Sequence, residues 1–235
     1  MLTHSPLLRP LLLSPLPHTT PAPLLYTRPH SHSPHAAGAG IGIQPIGLTV
    51  LKHLGLLDTI LAKGARLDRL HGTTTRGRTV LDLHYADFDD RLHGLGLSRG
   101  VLFHELFEAC KAEPNITVEV GQRVGGAEVR GTVTESSSDG SYLVSADGAR
   151  HGPYDLLICA DGRSSTLRRG LSSLGKGGVW SYESPYPYGC LWAILPDVDE
   201  VFTKERTLRQ HVSAGSAQRM LGIMPTGRQL LETTP

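Results

Sequence analysis

Acidic residues and glycine are missing from the start of this 235-residue chain. The first acidic residue is Asp58 and the first glycine is Gly38. Residues 1–37 instead hold eight of the sixteen prolines, a density that is incompatible with a helix or a central strand. Scarcity of acid is typical of a transit peptide, but the prolines exclude the amphipathic helix that such peptides form. We therefore expect residues 1–37 to be a disordered, proline-rich tail.

Cysteines and long apolar runs are also scarce. The three cysteines are far apart and form neither a CxxC pair nor a metal-ligand spacing, which predicts reduced thiols in a cytoplasmic protein. No apolar stretch approaches the roughly 18 residues of a membrane span, so we expect none. The net charge of +1 gives no indication of a nucleic-acid surface. The twelve histidines show no HxxxH or HExxH spacing, so we expect no metal site.

A short apolar run followed by a polar turn stands in the middle of the chain. Residues 156–160 do not alternate between apolar and polar, which predicts a central strand covered on both faces. Asp161 and Gly162 break this strand, and residues 164–166 can cap a following helix. In open α/β sheets ligands bind at the carboxyl ends of strands, where Asp161 is expected. An ordinary hairpin turn explains the same residues about as well.

A glycine-rich stretch runs from Gly38 to Gln44, directly before Pro45. A dinucleotide fingerprint needs a strand before its glycines and an acid about 20 residues after them. Residues 31–35 cannot form that strand, so we reject this interpretation. Small residues also let a backbone pass close to a ligand, which favours a ligand-binding loop over a flexible linker.

Apolar periodicity predicts helices over residues 45–57, 58–63 and 98–110. For the first helix it indicates a buried face of Ile46, Val50, Leu54 and Leu57. Alternation and turn residues predict further strands in the excursion 67–83, at 115–120, in a meander over 124–145, and at 179–183, 189–195, 207–213 and 219–224.

Together these stretches resemble the FAD-dependent aromatic hydroxylases, the p-hydroxybenzoate hydroxylase-like flavin monooxygenases. Asp161-Gly162 matches the DG motif of that family, and the resemblance extends from about Gly38 to about Arg228. It implies an α/β fold, with a partial FAD/NAD(P)-binding Rossmann-like domain over residues 38–170. Residues 67–95 are then an excursion to the substrate-domain sheet, and residues 171–235 an incomplete β-sheet substrate domain.

The resemblance also implies which residues bind the cofactor. Carried over position by position, they are Gly38, Gly40, Gln44, Arg99, Val124, Asp161 and Gly162. Arg99 begins a predicted helix, where a cation opposes the helix dipole, and this placement is understandable if it faces an anion. A solvated surface arginine is the alternative for this residue. No catalytic acid, base or nucleophile is indicated.

The activity implied is hydroxylation of an aromatic or similar small organic substrate by an FAD-dependent monooxygenase, with NADH or NADPH as reductant. The family's GxGxxG loop neutralises the FAD pyrophosphate, and a Gly-Asp pair contacts the ribityl chain, yet neither motif occurs here. We therefore expect a chain truncated at both ends, which binds FAD weakly if at all and is inactive alone. The alternative is a non-catalytic remnant that acts at most as a protein-interaction module.

Overall fold

The computed structural model describes residues 24–26, 39–120, 124–128, 141–160, 162, 165, 167–168, 182, 184–213 and 219–227. The chain divides into two compact units. In the described part, the first unit comprises residues 39–113 and 191–227, and the second comprises residues 24–26 and 114–190, with the gaps just given.

Short strands dominate both units. In chain order they are β1 (Leu24–Tyr26), β2 (Gly40–Ile43), β3 (Ala65–Leu67), β4 (Arg69–Thr74), β5 (Thr79–His84), β6 (Gly94–Ser98), β7 (Thr117–Glu119), β8 (Val124–Glu128), β9 (Ser141–Ser145), β10 (Arg150–Tyr154), β11 (Thr207–Val212) and β12 (Met220–Ile223). The helices are α1 (Pro45–His53), α2 (Leu57–Lys63), α3 (Arg99–Ala112) and α4 (Val201–Glu205), and a 3₁₀ turn covers Tyr85–Asp87.

The first unit is built on an antiparallel sheet in the order β2-β6-β3, packed against helices α1, α2 and α3. Its core joins Ile43, Leu95 and Leu97 of the sheet to Ile60 and Val101 of the helices. Burial of such side chains is the main favourable contribution to folding. The sheet and its three helices therefore form the stable base from which the β2–α1 turn projects.

Helix α1 begins at the predicted residue but buries a different face. Pro45 occupies its first turn, where a missing N–H costs nothing. Leu48 and Leu51 are buried, whereas Ile46 and Val50 are 74% and 51% exposed. The predicted face was wrong because aliphatic residues surround this helix, so periodicity alone cannot tell which of two apolar faces meets the sheet.

Helices α2 and α3 are connected by an ion pair. The ammonium of Lys63 donates to the carboxylate of Glu105, whose side chain is largely buried. Glu105→Gln is expected to lower the free energy of unfolding by about 1 kcal/mol, because a half-buried charge loses its partner. Glu108→Gln is the matched control, since Glu108 pairs with Lys111 on the exposed side of α3 and should contribute less than about 0.5 kcal/mol. Urea unfolding followed by circular dichroism measures both, and equal effects would contradict the assignment.

A second sheet of the first unit has the order β12-β11-β4-β5. Strand β4 pairs in parallel with β11, whereas β4–β5 and β11–β12 are antiparallel pairs. The predicted excursion, which contains β4 and β5, therefore shares a sheet with residues far along the chain. A Cβ at Gly42 would lie 3.8 Å from Cδ1 of Leu208 in β11, so one face of this sheet lies close to the first sheet. The opposite face is polar, and there Arg69 forms a bidentate pair with Asp82 at 2.7 Å, which lowers the pKa of that carboxyl.

The second unit contains two small sheets. Strand β1 pairs in parallel with β7, and β8, β9 and β10 form an antiparallel meander. Residues 24–26 form strand β1 because β7 supplies their hydrogen-bond partners. The expectation of a disordered tail is therefore wrong at those three positions. The rest of residues 1–37 lies outside the described residues, and the expected domain boundaries stay predictions.

Two predicted strands are wrong. Residues 156–160 adopt no regular structure, and Ile158 is 78% exposed. Residues 189–195 are also irregular, with Leu191 and Leu195 exposed. A run of β-prone residues becomes a strand only where neighbours complete its ladder, and no such neighbour pairs with either run in the described part of the chain.

Candidate functional site

Strand β2 brings together three of the sequence-predicted cofactor residues. It lies at the edge of its sheet, with Gly40 paired to Ser98 and Ile43 paired to Leu95. Arg99 follows Ser98 and donates its backbone N–H to Ala39 at 3.3 Å. Gln44 follows Ile43 at the other end of the strand, four residues from Gly40 and so roughly 13 Å from it at the usual rise per residue. Gly40 and Arg99 therefore lie at one end of the strand and Gln44 at the other.

Arg99 is well placed to meet an anion. It is exposed in the first turn of α3, where the helix dipole also favours negative charge. Among the described residues its guanidinium has no carboxylate partner, unlike Arg69, Arg91 and Arg209. An unpaired guanidinium at this position is available to a phosphate, which it can bind with two parallel hydrogen bonds.

Gly40 is small for a reason that sequence reasoning missed. A Cβ at Gly40 would lie 2.6 Å from Cγ2 of Thr226 and 2.9 Å from Cε of Met224. At Gly96 a Cβ would lie only 1.9 Å from the carbonyl oxygen of Pro225. The chain after β12 thus crosses directly over β2 and β6, and the glycines make room for that crossing. Contact of the Gly40 backbone with a cofactor stays a prediction.

Gln44 has a buried partner that the sequence did not signal. The hydroxyl of Tyr85 donates to Oε1 of Gln44 at 2.7 Å. Tyr85 is only 5% exposed, and burial raises the pKa of its phenol, so the hydroxyl keeps its proton at neutral pH. An isolated tyrosine after a strand gives no sequence pattern, because its partner lies 41 residues earlier in the chain.

The remaining predicted ligands belong to the second unit or lie outside the described residues. Val124 is half-buried at the start of β8, opposite Ser145. Gly162 has a φ of +81°, the left-handed conformation predicted for the turn. Ser165 caps the next turn, its hydroxyl accepting the N–H of Arg168 at 2.9 Å. Gly38 and Asp161 are not among the described residues, so their contact with a cofactor stays a prediction.

The residues at β2 fit the flank of a flavin nucleotide. Arg99 offers a cation to phosphate oxygens, and Gln44 offers amide N–H donors, since its Nε2 has no partner in the described part of the chain. A buried diphosphate also needs a ring of backbone donors at a helix N-terminus. The described residues of β2 and α3 do not supply such a ring. Arg99 and Gln44 would therefore contact only one side of the flavin nucleotide.

Other polar features do not form a recognisable site. A cleft on the polar face of the second sheet is lined by Arg69, His71, Thr73, Glu205, Thr207, Arg209 and His211. Its arginines are already neutralised by Asp82 and Glu205. Within the described ranges no group of three His, Cys, Asp or Glu side chains could hold a metal ion, and no helix is long and apolar enough to span a membrane.

Known proteins similar in sequence are monooxygenases. The chain is 32% identical over 149 residues to 6-methylpretetramide 4-monooxygenase of Streptomyces rimosus, covering 59% of this chain and 32% of that protein. It is 28% identical over 145 residues to the FAD-dependent monooxygenase atnA of Arthrinium sp, covering 57% of this chain and 17% of the relative. No protein-family model matches the chain. The chain therefore spans less than a third of the length of each relative.

Solved structures with the same fold include an oxygenase and a protein solved with FAD. The tetrameric form of 2-methyl-3-hydroxypyridine-5-carboxylic acid oxygenase superposes with a TM-score of 0.62 at 17% identity, over 86% of this chain and 48% of that one. Klebsiella pneumoniae HpxO, solved with FAD and uric acid, gives 0.57 at 20% identity, over 85% and 46%. The mixed α/β architecture predicted from the sequence is thereby confirmed. Over part of its length the chain is similar to monooxygenases, one of which is named as FAD-dependent, and it shares the fold of an oxygenase and of a protein solved with FAD.

Proposed function

We propose that this chain forms the flavin-flanking part of a monooxygenase that uses NADH or NADPH as reductant and hydroxylates a small aromatic substrate. The observation that carries the proposal is strand β2, with Gln44 at one end and, at the other, Arg99, which has no carboxylate partner among the described residues. Two donors at that spacing suit an extended dinucleotide better than a small ion. The FAD named with the relatives and the uric acid bound by HpxO support the choice of ligand and substrate class.

The role of this chain in the reaction is to position the cofactor. Bound FAD would supply the oxidation chemistry, and the protein would supply binding, orientation and electrostatics. Arg99 would balance phosphate charge, and Gln44 would donate to a carbonyl or phosphate oxygen. The described residues of β2 and α3 do not supply a ring of backbone N–H donors around the FAD diphosphate. We therefore expect weak FAD binding and no oxidation of NADPH by this chain alone.

Arg99→Ala is expected to weaken FAD binding about tenfold, the effect of losing one charged hydrogen-bond donor. The measurement is quenching of flavin fluorescence as protein is added, together with the visible flavin absorbance of the purified chain. Arg91→Ala is the matched control, because it removes the same charge from an exposed arginine that pairs locally with Asp89. Equal weakening by both variants would mean that net charge, not a site, attracts the flavin.

A protein-interaction module is the second candidate. It is favoured by a run of exposed apolar side chains in the first unit, Leu191, Trp192 and Leu195, since such a run is usually covered by another surface. The same titration separates the two functions. A chain that leaves the fluorescence of FAD unchanged at millimolar protein would reject the flavin role and leave the interaction role.

A further inference from the structure

Tyr85 is held rigidly by its surroundings. It begins the 3₁₀ turn Tyr85–Asp87, and its backbone N–H donates to the carbonyl of Asp68 at 3.1 Å. Its ring lies against Gly94, where a Cβ would come within 2.8 Å of the phenolic oxygen. Only glycine at that position leaves room for the hydroxyl. The phenol therefore has a fixed position at the end of β2.

The Gln44 side chain has a hydrogen-bond partner at Oε1 and, among the described residues, none at Nε2. It is the N-cap residue of α1, yet its side chain makes no capping hydrogen bond. Its Oε1 accepts the Tyr85 hydroxyl instead. With the carbonyl oxygen occupied, the Nε2 of this exposed side chain keeps two N–H donors that have no partner among the described residues.

We propose that Tyr85 is a positioning residue, which holds the Gln44 amide so that Nε2 donates to an acceptor oxygen of the bound flavin nucleotide. This inference rests on the proposed function and adds to it a residue that touches no ligand. An exposed glutamine otherwise samples many rotamers, and ordering it on binding costs conformational entropy. The hydrogen bond to a buried phenol removes that cost before the ligand arrives.

A purely structural role for the Tyr85–Gln44 hydrogen bond predicts different results. A bond that only fastened the β2–α1 turn would be as useful with any acceptor, and the orientation of the amide nitrogen would not matter. A positioning role requires that the amide be rigid in the ligand-free chain, and that loss of the phenol oxygen act only through Gln44. Both requirements can be measured separately.

The first measurement needs no ligand. The ¹⁵N heteronuclear NOE of Gln44 Nε2 reports picosecond-to-nanosecond motion of the side-chain amide. In the full 235-residue chain we expect a rigid amide, and Tyr85→Phe should reduce its NOE to that of freely moving exposed glutamines. Tyr142→Phe, in β9 of the second unit, should leave it unchanged. An amide equally mobile with and without the hydroxyl would overturn the proposal.

The second measurement is an FAD titration of four chains, followed by flavin fluorescence. Tyr85→Phe is expected to weaken binding by about threefold and Gln44→Met by about tenfold, in line with lost hydrogen bonds. The double variant should bind no more weakly than Gln44→Met, because Tyr85 acts only through that side chain. Additive losses would overturn the positioning role. A wild-type chain that binds no FAD but keeps a rigid amide would reject the proposed function and its flavin acceptor, while the hold of Tyr85 on Gln44 would stand.

Discussion

Gly96→Ala is expected to lower the free energy of unfolding by about 3 kcal/mol or more, at the upper end of overpacking effects. The added methyl group would lie 1.9 Å from the carbonyl oxygen of Pro225, and that contact is backbone rather than a flexible side chain. Leu95 and Leu97 on either side are buried in the core, so β6 cannot shift away without disturbing it. The crossing segment must move instead, and with it the position of β12.

Gly222→Ala is the matched control for this experiment. Gly222 is also a strand glycine of the first unit, but a Cβ there meets nothing within 4 Å. Alanine should be neutral or slightly stabilising at this position, because it reduces the entropy of the unfolded chain. Thermal unfolding of the two variants should differ by about 6–12 °C, given a shift of 2–4 °C per kcal/mol. Similar melting temperatures would show that the crossing over Gly96 is not present in solution.

Helices α1, α2 and α3 could be predicted from the sequence because their signals are local. Pro45 fixes the start of α1, Gly64 follows the last residue of α2, and apolar residues at helical spacing indicate α3. The excursion β4–β5 was also predictable, since its turn residues and alternation lie within one short segment. None of these elements needs information from a distant part of the chain.

The strands that depend on distant partners could not be predicted in the same way. Strands β2 and β6 are rich in glycine, which usually weakens a strand, yet each completes the other's ladder. Residues 156–160 have the opposite character, with high strand propensity and no ladder in the described residues. Strand formation reflects the whole sheet more than the segment, so composition misleads in both directions.

The candidate site was predicted in part for a related reason. Arg99 was indicated by a local signal, its place in the first turn of a helix. A cation is unfavourable there unless an anion lies nearby. Tyr85 was missed because its role comes from a contact with Gln44, to which no spacing in the sequence points. The resemblance supplied the ligand list, but the packing of Thr226 and Met224 on Gly40 gives that glycine a further reason to be small.

The buried face of α1 offers a direct test of the core, and Leu51→Ala is expected to lower the free energy of unfolding by about 2–5 kcal/mol. Leu51 is 5% exposed and belongs to the cluster that joins α1 to the first sheet, so truncation leaves a cavity. Val50→Ala removes two methyl groups from the adjacent exposed position. It should change stability by less than about 0.5 kcal/mol, because alanine is also the better helix former.

These two variants distinguish the structure from the face that periodicity indicated. If Val50 and Ile46 faced the core, Val50→Ala would be the costly change and Leu51→Ala the tolerated one. Urea unfolding followed at 222 nm gives both free energies under identical conditions, and the slope of each transition shows whether the unfolded state has changed. A larger loss at Val50 than at Leu51 would mean that α1 is rotated on the sheet. Rotation of α1 would move Gln44 away from the hydroxyl of Tyr85. The hydrogen bond that positions the Gln44 amide would then be lost.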